Sequence, residues 1–528
     1  MTNGLKFIFD VGGTMNLKKK IGQKLVVGFD GYELNDHIKN LISNYHVGNV
    51  ILFERNCKTP EQVFNLVQSL QKLSMEHNGL PLFVMIDQEN GVVNRIFDGI
   101  TVFPGNMAQT VGATLEETEK IAYFTGLGLR TLGINFNLAP SVDVNNNPKN
   151  PVIGTRRFGA SAKTVAQRGN AYIKGLQKAH VIATAKHFPG HGDTSVDSHL
   201  ALPIVDHDKK RLEEIELHPF REAIKNDVKA IMSAHIQFPA YDSKELPGTL
   251  SYNILTNLLR TELGFEGVII TDCMEMKAID DLYGAAKATP MAISAGADLI
   301  CISHCEKKQI AALGGIVQAL GDKKLFEEQI DESYNRILEL KKEYDIEGFL
   351  KTTYMQAKVN LYKEEYEKLA EAVSEKSITL VRNHDQIPVR NQDTLIVAPD
   401  GRALTSADGL RYTPNFAQFF SNQMQNVTAF EIGNSPTNEE IMRVVEKAKS
   451  KKLIIICTQN ATFQPQQQAL VHETLKVNEN IVLIPLRNPY DIELFSEIPC
   501  CLLAYEYTMR SMESLAKVLR YYDKHKML

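Results

Sequence analysis

The 528-residue chain contains no tryptophan, so any stacking on the apolar face of a ligand falls to tyrosine, phenylalanine or histidine. It has no apolar run of the roughly 18 residues that a membrane-spanning helix needs, which argues against a membrane partner. Excess basic charge is also missing: the formal net charge is −5, which argues against nucleic acid or an anionic lipid surface. The seven cysteines are odd in number and irregularly spaced, with Cys500 and Cys501 adjacent, and Cys57, Cys273 and Cys457 in or beside apolar runs. That usage belongs to a reducing compartment and excludes a disulfide framework. The opening MTNGLKFIFDVGGT lacks the charged, apolar and small-residue regions of a secretory signal, so a cytoplasmic protein is expected. FDVGGT (9–14) looks like a sugar-kinase phosphate loop, but nothing downstream continues such a domain, and residues 1–20 are read as an extension.

What is present is an ordinary globular mixture, 44% hydrophobic and 23% charged, too long for one core. Short β-branched runs recur at 24–29, 49–53, 82–87, 136–144, 181–188, 229–236, 267–272 and 297–303. Amphipathic stretches such as 60–77, 162–180 and 251–264 lie between them. Eight strand–helix units predict an α/β fold, a TIM-type (β/α)8 barrel over 21–346. A charged helix at 326–346 closes it. A linker follows at 347–361, then a smaller α/β domain over 362–528 with strands at 394–400, 452–459, 480–488 and 501–507.

Barrel chemistry sits at the C-terminal ends of strands. There the sequence places Asp87, Lys186, His187, His235 and Asp272, and the loop after His187 adds His191, Asp193, Asp197 and His199. Charges emerging from apolar strands are costly to bury unpaired, so they mark either structural ion pairs or a site. Two further arrangements look metal-like. His187, His191, Asp193 and His199 could ligate a metal in a barrel metallohydrolase, although HxxxH in a Pro/Gly loop is weak evidence. Cys301, His304 and Cys305 read more simply as packing.

The run KHFPGHGDTSVDSHLALP (186–203) resembles glycoside hydrolase family 3, in particular the bacterial β-N-acetylglucosaminidases that act on cell-wall fragments. IDQE (86–89), FPGNMA (103–108), APSVDVNNNPKNPVIGTRRFG (139–159), MSAHIQFPA (232–240), GVIITDCMEMKAI (267–279) and LRNPYD (486–491) resemble the same family in the same order. The resemblance implies a barrel followed by an α/β sandwich domain, and a retaining exo-hydrolase of β-linked N-acetylglucosamine needing no metal or other cofactor. It implies Asp272 as nucleophile and His199, with Asp197 as its dyad partner, as acid and base. It makes Asp87, Arg156, Lys186 and His187 ligands of the sugar. The partner is then a small carbohydrate such as a muropeptide. A silent sugar-binding barrel is the non-enzymatic alternative, and the presence of Asp272, Asp197 and His199 argues against it. Two departures stand out: Asn90-Gly91-Val92 replaces the Gly-Gly-Arg of many relatives, and Cys273 follows the nucleophile where many have Asp or Ala.

Overall fold

The structure, a computed structural model, describes residues 15–195, 201–401, 403–405, 407–409 and 413–522. The segment 9–14 therefore lies outside the described residues, as do Asp197 and His199. Among the described residues no helix is long and apolar enough to cross a membrane.

Eight parallel strands appear where the apolar runs placed them: β1 Leu25–Val27, β2 Asn49–Leu52, β3 Phe83–Ile86, β4 Phe136–Asn137, β5 Ile182–Phe188, β6 Ala230–Ser233, β7 Val268–Thr271 and β8 Ile300–Ile302. They pair in sequence order, β1 pairs with β8, and an Ile270–Leu299 bridge joins β7 to β8, so the sheet closes into a barrel. The alternation of strand side chains sets two layers. Val26, Ile51, Phe83, Met85, Phe136, Ile182, Met232, Val268 and Ile270 fill the interior. Their neighbours Leu25, Val50, Val84, Ile86, Ile231 and Ile269 face the surrounding helices. Helix starts follow local chemistry: Thr59 accepts from the Gln62 N–H to cap Pro60–Asn78, and Thr114 forms a capping box with Glu117 at Leu115–Thr131.

The fourth strand is much shorter than the predicted 136–144. Regular strand geometry ends at Asn137: Ala139 O and Pro140 O still accept the Thr184 and Lys186 N–H groups at 2.8 and 3.2 Å, but Pro140 has no N–H to give the ladder in return.

The second sheet has six strands in the order β11-β10-β12-β13-β14-β9. Here β9 is Thr379–Arg382, β10 Thr394–Pro399, β11 Val427–Ile432, β12 Leu453–Thr458, β13 Ile481–Pro485 and β14 Cys500–Leu503. The sequence did not point to β9 and β11. Both are edge strands, and most of their residues are only half-buried, so neither carries the apolar run that marks a central strand.

The two sheets are joined by a packed interface. Tyr366, Ala370 and Val373 of helix Glu364–Ser377 lie against Phe103, Ala113, Ile121 and Phe124 of the barrel, with the Phe124 and Tyr366 rings 4.0 Å apart. Polar ties surround this contact: Glu367 accepts from Thr101 Oγ1 and Arg510 Nη2, each at 2.6 Å. Glu506 reaches across to accept the Gly105 N–H at 2.7 Å. A Cβ at Gly91 would stand 2.6 Å from Gly105 Cα and 2.8 Å from Glu506 Oε2, and φ there is +60°, so only glycine fits this crossing.

Burial pushes the Glu506 carboxyl up to about 7, against an ordinary 4.5, despite the N–H and hydroxyl donors it meets. A group that holds its proton more tightly folded than unfolded favours the fold at low pH. Stability is therefore lost as pH rises from about 4.5 to about 7, by on the order of 3 kcal/mol at most. Glu506→Gln is expected to flatten this fall in thermal melts recorded across that window. An unchanged pH profile would show that the carboxyl is not titrating at the interface.

Candidate active site

The alternation that fills the barrel interior also continues beyond the strand tops. Asp87 follows Phe83 and Met85 in parity, Lys186 follows Ile182, and Asp272 follows Val268 and Ile270, so all three point to the barrel axis at the C-terminal end. The site is thus an extension of the core pattern in which apolar residues give way to charges.

Its floor is a buried ionic network. Lys186 Nζ lies 2.9 Å from Asp87 Oδ1 and 2.6 Å from Glu89 Oε1. Arg156 grips Glu89 with two bonds, Nη2 to Oε1 at 2.7 Å and Nε to Oε2 at 3.0 Å. Arg95 Nη2 stands 3.7 Å from Asp87 Oδ2. Burial alone would raise Glu89, but Arg156 and Lys186 outweigh it and hold the carboxyl well below the ordinary range. Burial likewise opposes the charge on Lys186, and Asp87 with Glu89 overcomes it, so the ammonium is held above its ordinary value. Glu89, Arg156 and Lys186 are therefore charged at neutral pH. Asp87 is the half-buried member, exposed enough to meet a ligand.

A second network organises the histidines. Asp143, buried after β4, receives Ser141 Oγ at 2.9 Å, the His191 N–H at 2.6 Å and His187 Nδ1 at 2.7 Å. Burial would raise Asp143, but His187 and His191 hold it below the usual carboxylate range. The Asp143 contact leaves Nε2 as the outward nitrogen of His187. His191 meets Thr194 Oγ1 at 2.7 Å and is pushed down to about 4, first by burial and then by His187, so it is neutral. Asp193 is engaged by His207 Nε2 at 2.7 Å and Arg211 Nη2 at 3.5 Å. Of the residues suggested as metal ligands, His187, His191 and Asp193 are thus directed to separate partners, and His199 lies outside the described residues.

Asp272 is half-buried just past β7. Its backbone N–H donates to Ser233 O at 3.2 Å, and Oδ1 accepts the Cys273 N–H at 2.7 Å. His235 closes the far side of this turn, with Nε2 3.0 Å from Cys273 O and Nδ1 2.8 Å from Thr249 Oγ1. Cys273 itself hydrogen-bonds Cys301, a buried thiol that this contact and desolvation push well above its ordinary range. All seven cysteines are free thiols.

The structure brings Asp87, Lys186 and Arg156 together through Glu89, with His187 next along the chain, and it places Asp272 at the same end of the barrel. Asp197 and His199 are outside the described residues. Two functional positions went unassigned in the sequence. Glu89 is the carboxylate that compensates both cations, and Asp143 orients His187. Both stand inside quoted motifs, IDQE and APSVDV, whose acidic residues could have been paired with the downstream cations. The Asn90 departure also has an explanation. Asn90 has φ +73°, which asparagine tolerates, and its amide bonds Tyr172 Oη at 2.8 Å and Thr125 Oγ1 at 3.1 Å. Val92 lacks the guanidinium of Gly-Gly-Arg, but Arg95 supplies one beside Asp87.

The chain is similar to known proteins over nearly all its length. Residues 16–340 match the glycosyl hydrolase family 3 N terminal domain. Beta-hexosaminidase A of Pseudoalteromonas piscicida is 31% identical, over 94% of this chain and 92% of that protein. A Beta-hexosaminidase of Haemophilus influenzae is 32% identical over 58% of this chain and 84% of its own length. The structure of a glycoside hydrolase family 3 β-N-acetylglucosaminidase from Paenibacillus sp. str. FPU-7 superposes with a TM-score of 0.89 at 40% identity, covering 96% of this chain and 97% of the other.

Neutralising the buried carboxylate tests the network directly. Glu89→Gln leaves Arg156 and Lys186 short of one negative charge and is expected to cost about 3–5 kcal/mol, read from the midpoint of urea unfolding. A loss below about 1 kcal/mol would mean that water or rearrangement supplies the compensation.

Proposed function

The chain belongs to glycosyl hydrolase family 3 and is a glycoside hydrolase, and from that premise we propose that it is a retaining exo-β-N-acetylglucosaminidase acting on cell-wall fragments of the muropeptide type. The observation that carries the reading is the placement of Asp272 on the barrel axis, its Oδ1 held by the Cys273 N–H, at the same strand ends as the Asp87–Lys186 pair. The names and solved structure of the relatives at 31–40% identity point the same way.

In this mechanism the Asp272 carboxylate attacks the anomeric carbon while His199 protonates the departing oxygen. Asp197 orients the imidazole and stabilises its protonated form. His199, now neutral, then takes a proton from water, which cleaves the glycosyl–Asp272 ester and returns the sugar with its β configuration. Asp87, Lys186, Arg156 and the outward nitrogen of His187 bind the hydroxyls of the terminal sugar with charge-assisted hydrogen bonds. Lys186 and Arg156 are already engaged by carboxylates, so they stay in place without a ligand. That fixed geometry limits the site to a single terminal residue. Free thiols support work in a reducing compartment, and we place the reaction in the cytoplasm.

Asp272→Ala is expected to lower kcat by several orders of magnitude on a chromogenic β-N-acetylglucosaminide while the protein stays folded. Retention of more than about a tenth of wild-type kcat would exclude Asp272 as nucleophile. His199→Ala makes a sharper distinction. A proton matters most when the leaving group is a poor one, so kcat/KM should fall far more on disaccharides than on nitrophenyl glycosides. Azide, which needs no deprotonation, should then restore turnover of activated substrates and yield a β-glycosyl azide. Equal losses across leaving groups with no azide rescue would remove the dyad from the mechanism.

A further inference from the structure

The turn that holds Asp272 carries a second set of donors. Cys273 and Glu275 follow β7, and His304 follows β8; their sulfur, carboxylate oxygen and imidazole nitrogen all lie within 4.8 Å of one another. This is the one group of three or more such ligands among the described residues. We propose that Cys273, Glu275 and His304 form a binding site for a soft divalent cation of the zinc class, one residue from the nucleophile.

The donor chemistry selects the cation. Sulfur, nitrogen and one carboxylate oxygen suit zinc, whereas magnesium and calcium require mainly oxygen. Zinc–ligand bonds of about 2.0–2.3 Å set tetrahedral ligand atoms roughly 3.5 Å apart, so the site closes by side-chain movements of about 1 Å. Glu275 is already fixed for the purpose. Oε2 accepts the His304 N–H at 2.6 Å and Oε1 the Cys305 N–H at 3.1 Å, which clamps the two donor-bearing loops together and leaves a lone pair on each oxygen. Neither ring nitrogen of His304 has a hydrogen-bond partner among the described residues. The ring leans on Phe53 with centroids 5.1 Å apart and is exposed, which gives a cation its way in from solvent.

The nearby cations are engaged elsewhere. Lys308 Nζ is 3.9 Å from Glu275 Oε1 but only 2.6 Å from Asp280, and Arg55 pairs with Asp30 at 2.8 Å. On binding, the Cys273 thiol releases its proton to solvent as the sulfur–metal bond forms, His304 ligates as neutral imidazole, and water completes the fourth position. The Cys273 N–H also holds Asp272 Oδ1, so an occupied site, whose two metal charges are offset in part by the proton the thiol gives up, adds one net positive charge beside the nucleophile and slows turnover. This consequence rests on Asp272 as nucleophile; the binding does not.

The test uses the full chain after chelator treatment. Calorimetric titration with zinc should show one site per chain. Cobalt in its place should give a near-ultraviolet thiolate-to-metal charge-transfer band. Cys273→Ser should abolish the band, and the surface variant His304→Ala should weaken zinc binding at least about tenfold while basal turnover is kept. Zinc should inhibit the wild type and spare His304→Ala. Absence of stoichiometric binding, or binding unaffected by both substitutions, would overturn the site. Binding is read separately from turnover, so a failure of this site and a failure of the Asp272 assignment give different results.

Discussion

Four charged side chains, Asp87, Glu89, Arg156 and Lys186, are packed where the barrel core ends, and most of the site is arranged around them. Taking such groups out of water costs several kcal/mol each, and only close pairing with well-formed hydrogen bonds compensates. Within these four the signs balance, and Arg95, 3.7 Å from Asp87 Oδ2, adds a further cation at the edge. Glu89 is the hinge of the balance, because both cations converge on it while Asp87 keeps one edge open. An ion cluster of this kind adds little net stability compared with apolar packing. Its value is positional: each donor is held by a partner whose loss would strand a buried charge, so the donors cannot drift before a sugar arrives.

That constraint reaches the second domain through a short path. Glu89 is followed by Asn90 and Gly91, and the Gly91 turn lies against Gly105 and the buried Glu506. From the next stretch, Val92 O receives the Gly409 N–H at 2.9 Å, and Arg95, beside Asp87, donates to Ala407 O at 3.0 Å. A cavity of about 590 Å³ opens here, lined among others by Val92, Phe97, Asp408, Arg487 and Glu506, with Asp272 absent from its walls. The second domain thus braces the loop that carries Asp87 and Glu89.

How much of this was visible in the sequence depends on the kind of information required. The eight barrel strands were legible because each is an apolar run set off by polar loops, and buried parallel strands have no other appearance. The edge strands β9 and β11 were not, since a half-buried edge has the composition of a loop. The shortening of β4 could have been read from Pro140. The strand-end positions of Asp87, Lys186, His187 and Asp272 were legible, and parity along each strand explains why Asp87, Lys186 and Asp272 share an axis. Glu89 and Asp143 were harder, because their roles consist of partners 67 and 44 positions away. The reading of Cys301 as packing agrees with its place in the core, while the neighbours of His304 lie far off in sequence. Cys301, His304 and Cys305 look like a cluster on the page, yet Cys301 belongs to the barrel interior, and His304 meets Cys273 and Glu275 from another loop.

The site also separates its charges by task. Cations are gathered on the Asp87–Glu89 side, where Lys186 and Arg156 are consumed by carboxylates. Beside Asp272 the described residues include a backbone N–H, the neutral His191 and a thiol. The amide bond gives the Asp272 carboxylate a defined direction, with Lys186 two strands round the barrel on β5. The Asp87–Glu89 side is held by strong ion pairing, and Asp272 is oriented by its bond to an amide. Closing the barrel through parallel strands whose tops carry different side chains allows both within one shallow layer.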